Sequence, residues 1–240
     1  MEQDYIALDL ETTGLNPKKD KILEIGAIRV LGGVETARYH TLVNPRRSLA
    51  PEIVELTGIT DEMVEHAPDI EAVIEEITGF CKDFPLLGHR ILFDFSFLKK
   101  AAVNQGLSFE KQGVDTLTLC RCFMPKEEPK NLTAACRYFG MVRQCQHRAL
   151  EDAQAAHFLY QKLAEMFQKN EDGGNLEVFK AKTMIYKVKK EQKATKKQKE
   201  DLRYLIKYHK IDVPVEIDYL SRNEVSRLTD QIISKYGRIR

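Results

Sequence analysis

The chain has 240 residues, which is enough for one sizeable hydrophobic core and a small second module. Hydrophobic residues make up 43% of the sequence and charged residues 30%, with a net charge of +1, and this balance excludes a chain that is disordered throughout. No apolar stretch approaches the length of a membrane span, and the acidic N-terminus has no signal-peptide pattern, so we expect no membrane partner and a cytoplasmic location.

Three runs of alternating apolar and polar residues predict successive β-strands in the first part of the chain. They cover residues 4–9, 21–31 and 34–43, and Gly32 and Gly33 predict a hairpin between the second and third strands. A meander of three strands is therefore expected at the beginning of the fold.

Beyond this meander the sequence predicts helices in alternation with short strands. After an irregular crossing at Pro45 and Pro51, the predicted elements are a helix over 69–84, a strand over 85–89, a helix over 94–105, a very short strand before Asp115, and helices over 116–123, after Asn131 and over 149–168. This order predicts an α/β protein with a mixed five-stranded sheet and helices on both faces.

The first strand ends in two acidic residues, Asp9 and Glu11. Side chains two positions apart on a strand project to the same face. Two carboxylates on one face repel each other, so they require a shared proton or a cation between them. Oxygen ligands of this kind favour Mg²⁺ or Mn²⁺, and an exposed acidic pair on an edge strand is the simpler alternative.

Two further segments carry acidic side chains and a histidine. Asp94 follows a short apolar strand at a helix start, and His147 and Asp152 stand at the head of a long alanine-rich helix. Over about residues 4–167 the chain resembles the DnaQ-like (DEDDh) 3′→5′ exonucleases, the family of the proofreading epsilon subunit of bacterial DNA polymerase III and of the exonuclease domain of PolC-type polymerases. The matching motifs are Asp9-x-Glu11-Thr-Thr-Gly-Leu, Ile22-Leu-Glu24-Ile-Gly26-Ala, Leu42-Val-Asn-Pro45, Leu56-Thr-Gly-Ile-Thr60, Gly88-His89, Phe93-Asp94-x-x-Phe97-Leu98, Asp115-Thr-Leu and His147-x-x-x-x-Asp152.

The resemblance implies a ribonuclease H-like fold with the acidic strand at its centre. It implies two divalent metal ions, Mg²⁺ or Mn²⁺, held by four carboxylates: Asp9, Glu11, Asp94 and Asp152. Two such ions about 3.5–4 Å apart can activate water, polarise the phosphorus and neutralise the leaving 3′-oxygen of a phosphodiester. His147 is then the general base, a role that suits histidine, the side chain that most often transfers protons in enzymes.

Seven residues are predicted to contact the substrate. The turn after the first strand offers small side chains and backbone groups to a 3′-terminal nucleotide and consists of Thr12, Thr13, Gly14 and Leu15. Leu56 and Phe93 resemble apolar contacts to the terminal bases, with plain core packing as the alternative, and His89 resembles a residue beside the substrate phosphate.

The expected activity is metal-dependent 3′→5′ hydrolysis of single-stranded or frayed DNA, in replication proofreading or in repair. The expected partner is nucleic acid, DNA rather than RNA, and the chain acts alone or with a DNA polymerase. Single-stranded 3′ ends are expected to be preferred, because a paired end cannot reach a recessed site. Two alternatives stay open: a ribonuclease of the same fold that trims RNA or short oligonucleotides, and a catalytically inactive module that binds nucleic acid.

Two features of the sequence leave the site open to other interpretations. The family usually has Asn after its Gly-His pair, where this chain has Arg90, and Glu151 is a neighbouring competitor for the role of Asp152. Cys81, Cys120, Cys122, Cys136 and Cys145 are expected to be reduced. A zinc site formed by the last four of these cysteines and His147 is an alternative, but this histidine is already part of the exonuclease motif.

The C-terminal quarter of the chain differs in charge from the rest. Residues 1–179 hold 20 Lys and Arg against 28 Asp and Glu, whereas residues 180–240 hold 17 against 8. A basic tail behind an acidic metal-binding part suits a polyanionic substrate, and a merely solvated lysine-rich helix is the alternative.

The glycine-containing segment Glu171–Asn175 is the clearest linker of the chain. We therefore expect an exonuclease domain over 1–170, a basic linker over 171–194 and a small two-helix module over 195–240. Thr195-Lys-Lys-Gln198 and Ser221-Arg-Asn-Glu224 both fit the capping box and predict the starts of the two helices.

Overall fold

The computed structural model describes residues 2–141, 147–167 and 176–239. Its strands form one mixed sheet in the order β3-β2-β1-β4-β5-β6. The strands are β1 (Tyr5–Thr12), β2 (Ile22–Leu31), β3 (Val34–Leu42), β4 (Leu86–Gly88), β5 (Gln112–Asp115) and β6 (Lys182–Thr183). The first three are antiparallel, β4 and β5 run parallel to β1, and β6 is antiparallel to β5.

The prediction of five strands was wrong by one, because the lysine-rich segment supplies β6 at the edge of the sheet. Lys182 and Thr183 pair with Gly113 and Gln112 of β5. Phe179 and Met184, on either side of β6, are buried in the two cores that line the sheet. Two residues of the predicted linker, Lys182 and Thr183, therefore belong to the sheet.

Helices cover both faces of the sheet, as the sequence predicted. The α-helices of the described residues are α1 (Pro51–Thr57), α2 (Asp61–Val64), α3 (Ile70–Cys81), α4 (Leu92–Gln105), α5 (Thr116–Phe123), α6 (Leu132–Tyr138), α7 (Ala149–Phe167), α8 (Lys196–His209) and α9 (Arg222–Tyr236). The short α1 and α2 were not predicted. Pro51 begins α1, where a missing backbone N–H costs little, but Ala50 before it makes no side-chain cap.

The strand β1 lies in the middle of the sheet and is buried on both faces. Tyr5 and Ala7 face α7, in a core that includes Leu159 of that helix. The even-numbered residues of β1 face the other core, which α3 and α4 cover. The alternation along a strand therefore directs Asp9 and Glu11 toward α7.

A glycine allows α7 to approach the sheet closely. Gly26 of β2 pairs with Asp9 of β1, and a Cβ placed on Gly26 would lie 2.1 Å from Leu150 N and 2.2 Å from the carbonyl carbon of Ala149. The first turn of α7 therefore rests on the β2 backbone directly beside Asp9.

Local capping signals in the sequence proved accurate. Asp115 accepts from Leu117 N at the start of α5, and Asn131 accepts from Ala134 N at the start of α6. Both predicted capping boxes are present at the starts of α8 and α9. Gly32 and Gly33 have φ values of 58° and 80°, which the tight turn between β2 and β3 requires.

The two C-terminal helices share a small core of their own, formed by Leu202, Leu205, Leu220, Val225 and Ile232. The predicted boundaries at 170 and 194 stay predictions. The glycine-containing segment 171–175 lies outside the described residues. Across the described parts of the chain, no helix is long and apolar enough to cross a membrane.

We expect Gly26→Ala to destabilise the protein, because the added Cβ would overlap the backbone of α7. The loss in free energy of unfolding should exceed about 2 kcal/mol in urea denaturation. Gly79→Ala in α3 is the matched control, since a Cβ there meets no atom within 4 Å, and it should leave stability unchanged or raise it by up to about 1 kcal/mol. Equal stability of the two variants would contradict the close approach of α7.

Candidate active site

The acidic end of β1 is largely enclosed. Glu11 is 9% exposed and Asp9 is partly buried. In the β1–β2 register Glu11 stands directly opposite Glu24. Carboxylates opposite each other across antiparallel strands repel unless other groups neutralise them, so this part of the sheet depends on the charges that surround it.

Asp94 reaches β1 from the neighbouring helix. The strand β4 ends at Gly88 and α4 begins at Leu92. Ile6 N donates to Pro85 O near β4, and further along β1 Leu10 N donates to Asp94 Oδ1 at 3.1 Å. The carboxylate thus accepts a backbone hydrogen bond from β1 beyond the end of β4, which fixes Asp94 at the acidic end of the strand.

Glu24 holds the beginning of α7 against the sheet. Its carboxylate is fully buried and accepts hydrogen bonds from Arg148 Nη2 at 2.7 Å and from Ala149 N at 3.0 Å. His40 Nε2 lies 2.7 Å from the same carboxylate. Burial acts to raise the pKa of Glu24, but these hydrogen bonds outweigh burial and hold the pKa below its ordinary value. A carboxylate bound at a helix N-terminus is also favoured by the helix dipole.

The anchored helix start brings three predicted site residues together. Asp152 lies in the first turn of α7, and Asp152 N donates to Arg148 O at 2.9 Å. His147 precedes the helix with a φ of 59° and is exposed. One ligand atom each from Glu11, His147 and Asp152 lies within 4.8 Å of the others.

Crowding of the acids changes their proton affinity. Burial, followed by the charges of Asp152 and Glu24, raises the pKa of Glu11 to about 7, with Arg148 opposing. Burial and the charge of Glu11 likewise raise the pKa of Asp94 well above its usual range. Full ionisation of this cluster is therefore costly without a cation.

These side chains fit a divalent cation. The carboxylates supply hard oxygen ligands, the separation within the cluster is short enough for a shared ion, and a cation would offset the cost of ionising buried carboxylates beside one another. The cluster includes no cysteine among the described residues. Cys120 and Cys122 are free thiols, and Cys145 of the alternative zinc site lies outside the described residues.

The turn predicted to contact substrate is tightly bonded internally. Thr12 Oγ1 donates to Gly14 O, and Thr13 pairs with Lys21 through Thr13 N to Lys21 O at 2.9 Å and Lys21 N to Thr13 Oγ1 at 3.0 Å. The Leu15 side chain is 79% exposed. The turn thus offers an apolar side chain to solvent, and the role of these residues stays a prediction.

The other predicted contacts differ in their surroundings. Leu56 projects from α1 and is 53% exposed, so it is not a core residue. Phe93 is half-buried against Phe97. His89 lies 2.7 Å from Lys130 O through Nε2 and 3.0 Å from Thr116 Oγ1 through Nδ1. The ring of His89 is therefore fixed by the protein on both sides, and its predicted contact with phosphate stays untested.

Arg90 takes a backbone conformation that favours Asn or Gly. Its φ is 74°, its N–H donates to Asp115 Oδ1 at 2.7 Å, and its side chain is exposed, with the guanidinium 5.9 Å from the Phe93 ring. The hydrogen bond to Asp115 stabilises a conformation that costs an arginine some energy.

Glu24, Arg148 and His40 support the site but were not predicted to do so. The signal was present: Glu24 and Arg29 are the charged residues of a ten-residue strand that is otherwise apolar or glycine. A carboxylate in such a strand requires charged or hydrogen-bonding partners when it is buried. The identity of those partners depends on the contact between α7 and β2, which residue spacing does not show.

Without divalent metal, we expect the free energy of unfolding to fall as the pH rises from 4.5, the ordinary pKa of a glutamate, to about 7. The native state holds protons on Glu11 and Asp94 more tightly than the unfolded chain does, so the stabilisation is complete below the unfolded pKa and is lost as the pH approaches the native pKa. The fall should be on the order of 2 kcal/mol in urea denaturation with chelator. Glu11→Gln should flatten the dependence of stability on pH. A free energy of unfolding that rises with pH over this range would contradict the crowding of the carboxylates.

Comparison with known proteins relates this geometry to one family. The family model described as "Exonuclease" matches residues 6–160. DNA polymerase III PolC-type of Thermotoga maritima is 37% identical over 166 residues, which are 69% of this chain and 12% of that protein. The Bacillus subtilis protein of the same name is 36% identical over 165 residues, 68% of this chain and 11% of that protein. The chain thus matches about an eighth of the length of these curated relatives.

Solved structures share the fold. Escherichia coli exonuclease I in complex with a dA16 oligonucleotide has a TM-score of 0.61 at 19% identity, covering 70% of this chain and 42% of that one. Exonuclease X in complex with 5′ overhanging duplex DNA has a TM-score of 0.53 at 23% identity, covering 70% of this chain and 96% of that one. The predicted fold class is confirmed by this likeness and by the mixed sheet. The chain belongs to the exonuclease family, and the predicted enzyme class is confirmed with it.

Proposed function

We propose that this chain is a metal-dependent 3′→5′ exonuclease that releases nucleotides from single-stranded or frayed DNA ends. The convergence of Glu11, His147 and Asp152 within 4.8 Å is the observation that carries the proposal. It joins carboxylates that crowd one another with a histidine that is open to solvent. Such a set can bind a divalent ion and accept a proton from water.

Four carboxylates are proposed to hold two divalent ions, Mg²⁺ or Mn²⁺: Asp9, Glu11, Asp94 and Asp152. When bound, the ions supply positive charge that activates water and stabilises the leaving oxygen. The protein fixes the carboxylates through the β1 strand, through the hydrogen bond from Leu10 N to Asp94, and through the Glu24 anchor of α7.

His147 is proposed to take the proton of the attacking water on a ring nitrogen. Its exposed position in front of α7 leaves the imidazole open to the substrate side. The oxygen of the water forms a bond to the phosphorus, and the bond from phosphorus to the 3′-oxygen of the preceding nucleotide breaks. A nucleotide 5′-monophosphate and a strand shorter by one residue result.

The substrate is proposed to bind through its backbone and its terminal bases. The turn of Thr12, Thr13, Gly14 and Leu15 is proposed to contact the terminal nucleotide, Leu56 and Phe93 its bases, and His89 the phosphate side. Exposed Leu15 and Leu56 suit stacking or wedging at unpaired bases. None of these groups forms a base-specific hydrogen-bond pattern, so hydrolysis should depend little on sequence.

DNA is the preferred substrate class in this proposal. The curated relatives are named DNA polymerase III, and a structural neighbour is described with a bound dA16 oligonucleotide. The polymerase name supports replication proofreading with a polymerase. Repair without a polymerase is the alternative role, and the proposed location is the cytoplasm. A ribonuclease of the same fold is the alternative, and matched DNA and RNA strands distinguish the two. A catalytically inactive binding module predicts no product from either strand.

With a 5′-labelled single-stranded oligonucleotide, we expect a ladder of products shortened from the 3′ end, which chelator abolishes and Mg²⁺ or Mn²⁺ restores. Asp152→Asn should reduce the rate at least about a hundredfold, because a proposed metal ligand is lost. Glu151→Gln is the matched control: this neighbouring acid is exposed on α7 and should leave the rate within about twofold. Hydrolysis in excess chelator, or equal rates of the two variants, would refute the assignment.

We expect His147→Ala to lower the rate at least about a hundredfold, the range of general-base contributions, while metal affinity stays nearly unchanged. The rate loss should shrink at alkaline pH, where hydroxide replaces the base. Calorimetric titration with Mn²⁺ tests the first part. A large fall in affinity would make His147 a metal ligand, a role that its distance from Glu11 and Asp152 also allows.

A further inference from the structure

The C-terminal segment, residues 191–239, docks beside the proposed active site. It contacts the turn between β1 and β2 through Glu224, the third residue of α9, which is 8% exposed. Glu224 Oε1 lies 2.8 Å from Lys21 Nζ and 3.4 Å from Arg47 Nη2. Lys21 is the residue that pairs with Thr13 in the proposed substrate-binding turn.

One carboxylate therefore begins α9 and also holds this turn. Glu224 Oε2 accepts from Ser221 N at 2.9 Å in the capping box, while Oε1 faces Lys21. Burial acts to raise the pKa of Glu224, but Lys21 and the capping hydrogen bonds outweigh burial and lower the pKa to about 2. The carboxylate is thus ionised at any pH at which the enzyme is expected to work.

Further bonds fix the same turn along its length. Arg47 Nη1 donates to Lys19 O at 3.2 Å, and Arg227 Nη2 of α9 donates to Lys18 O at 3.4 Å. The backbone near Arg47 is itself paired with the C-terminal segment, since Ser48 N donates to Pro214 O at 3.1 Å. The turn is therefore held directly by α9 and by Arg47, and the neighbour of Arg47 is in turn bound to the C-terminal segment.

A second contact reaches the helix that carries Asp94. Glu191 Oε1 lies 3.4 Å from Lys100 Nζ, and Glu191 N donates to Asn104 Oδ1 at 3.0 Å. Both partners belong to α4. Arg222 N at the start of α9 donates to Gln192 O at 2.8 Å, so the two contacts are linked through the C-terminal segment itself.

At this interface, each of the two parts contributes side chains whose charge is opposite in sign to the net charge of that part. Acidic residues of the basic C-terminal segment, Glu191 and Glu224, face Lys100, Lys21 and Arg47. Lysines such as Lys196 and Lys197 remain on the exposed side. The C-terminal segment therefore docks through a few specific acidic residues. This contact differs from a loose electrostatic attraction between a basic tail and an acidic domain.

We propose that the C-terminal segment is a brace for the substrate-binding turn and that Glu224 is its positioning residue. The brace ties the turn that follows Asp9 and Glu11 to the helix that carries Asp94, so the terminal nucleotide meets a fixed surface beside the carboxylates. The inference rests on the proposed function of that turn. Loss of the Glu224 charge weakens nucleotide binding without removing any group that carries out the chemistry.

The test compares Glu224→Gln with a matched control inside the same segment. Gln can still accept in the capping box, so α9 should form, but the charge that holds Lys21 and Arg47 is lost. Asp218→Asn removes the pair with Arg203, 2.6 Å away and internal to the segment. With single-stranded DNA and Mg²⁺, Glu224→Gln should raise KM about three- to tenfold with kcat within about twofold, the pattern of lost ground-state binding. Asp218→Asn should change neither constant.

Two further measurements keep the result interpretable. Lys21→Met, which leaves the capping box intact, should reproduce the rise in KM, and the double variant with Glu224→Gln should add little to it. Amide exchange should become faster at Thr13 and Lys21 in Glu224→Gln and stay unchanged in Asp218→Asn. Unchanged KM and unchanged exchange in folded Glu224→Gln would overturn the brace. Wild-type protein that degrades no 3′ end would refute the proposed function instead, while amide exchange would still decide whether the brace exists.

Discussion

The proposed active site depends on one buried carboxylate that is not itself a proposed ligand. Glu24 binds Arg148 and the N-terminal backbone of α7, and Gly26 gives that helix room to lie on the sheet. This attachment places the first turn of α7, and with it Asp152, beside Glu11, which is far away in sequence, while the core that Tyr5 and Ala7 share with Leu159 holds the helix further along. A buried carboxylate is stable in this position because charged and backbone donors surround it, and loss of one of these partners would leave its charge uncompensated.

The same attachment creates an unfavourable concentration of negative charge. Glu11 lies between the negative charges of Asp152 and Glu24, and Asp94 is buried near it. The fold stabilises this arrangement through its hydrophobic cores on both faces of β1 and through hydrogen bonds to the acids. Repulsion that is already present before a cation binds favours the binding of a cation at a site built in this way.

Much of this architecture could be predicted from local sequence, because its signals are local. Thr195 and Ser221 each cap a helix where their spacing indicates, and the apolar run of β1 correctly predicts a strand, whose central place the family resemblance implied. The strand β6 was not predicted because it is a strand only through its pairing with β5. Its own residues show no strand pattern. The supporting role of Glu24 and the burial of Glu224 were not predicted for a related reason. Whether an acidic side chain is buried depends on which distant element of the chain covers it.

Diffraction from crystals containing Mn²⁺ tests the account most directly, because anomalous scattering locates the metal without any assumption about activity. The account predicts anomalous density in contact with carboxylate oxygens of Glu11 and Asp152, next to Asp9 and Asp94. Saturating Mn²⁺ that leaves this cluster without density, or that binds only elsewhere on the protein, would contradict the central claim that the crowded carboxylates form a divalent-metal site.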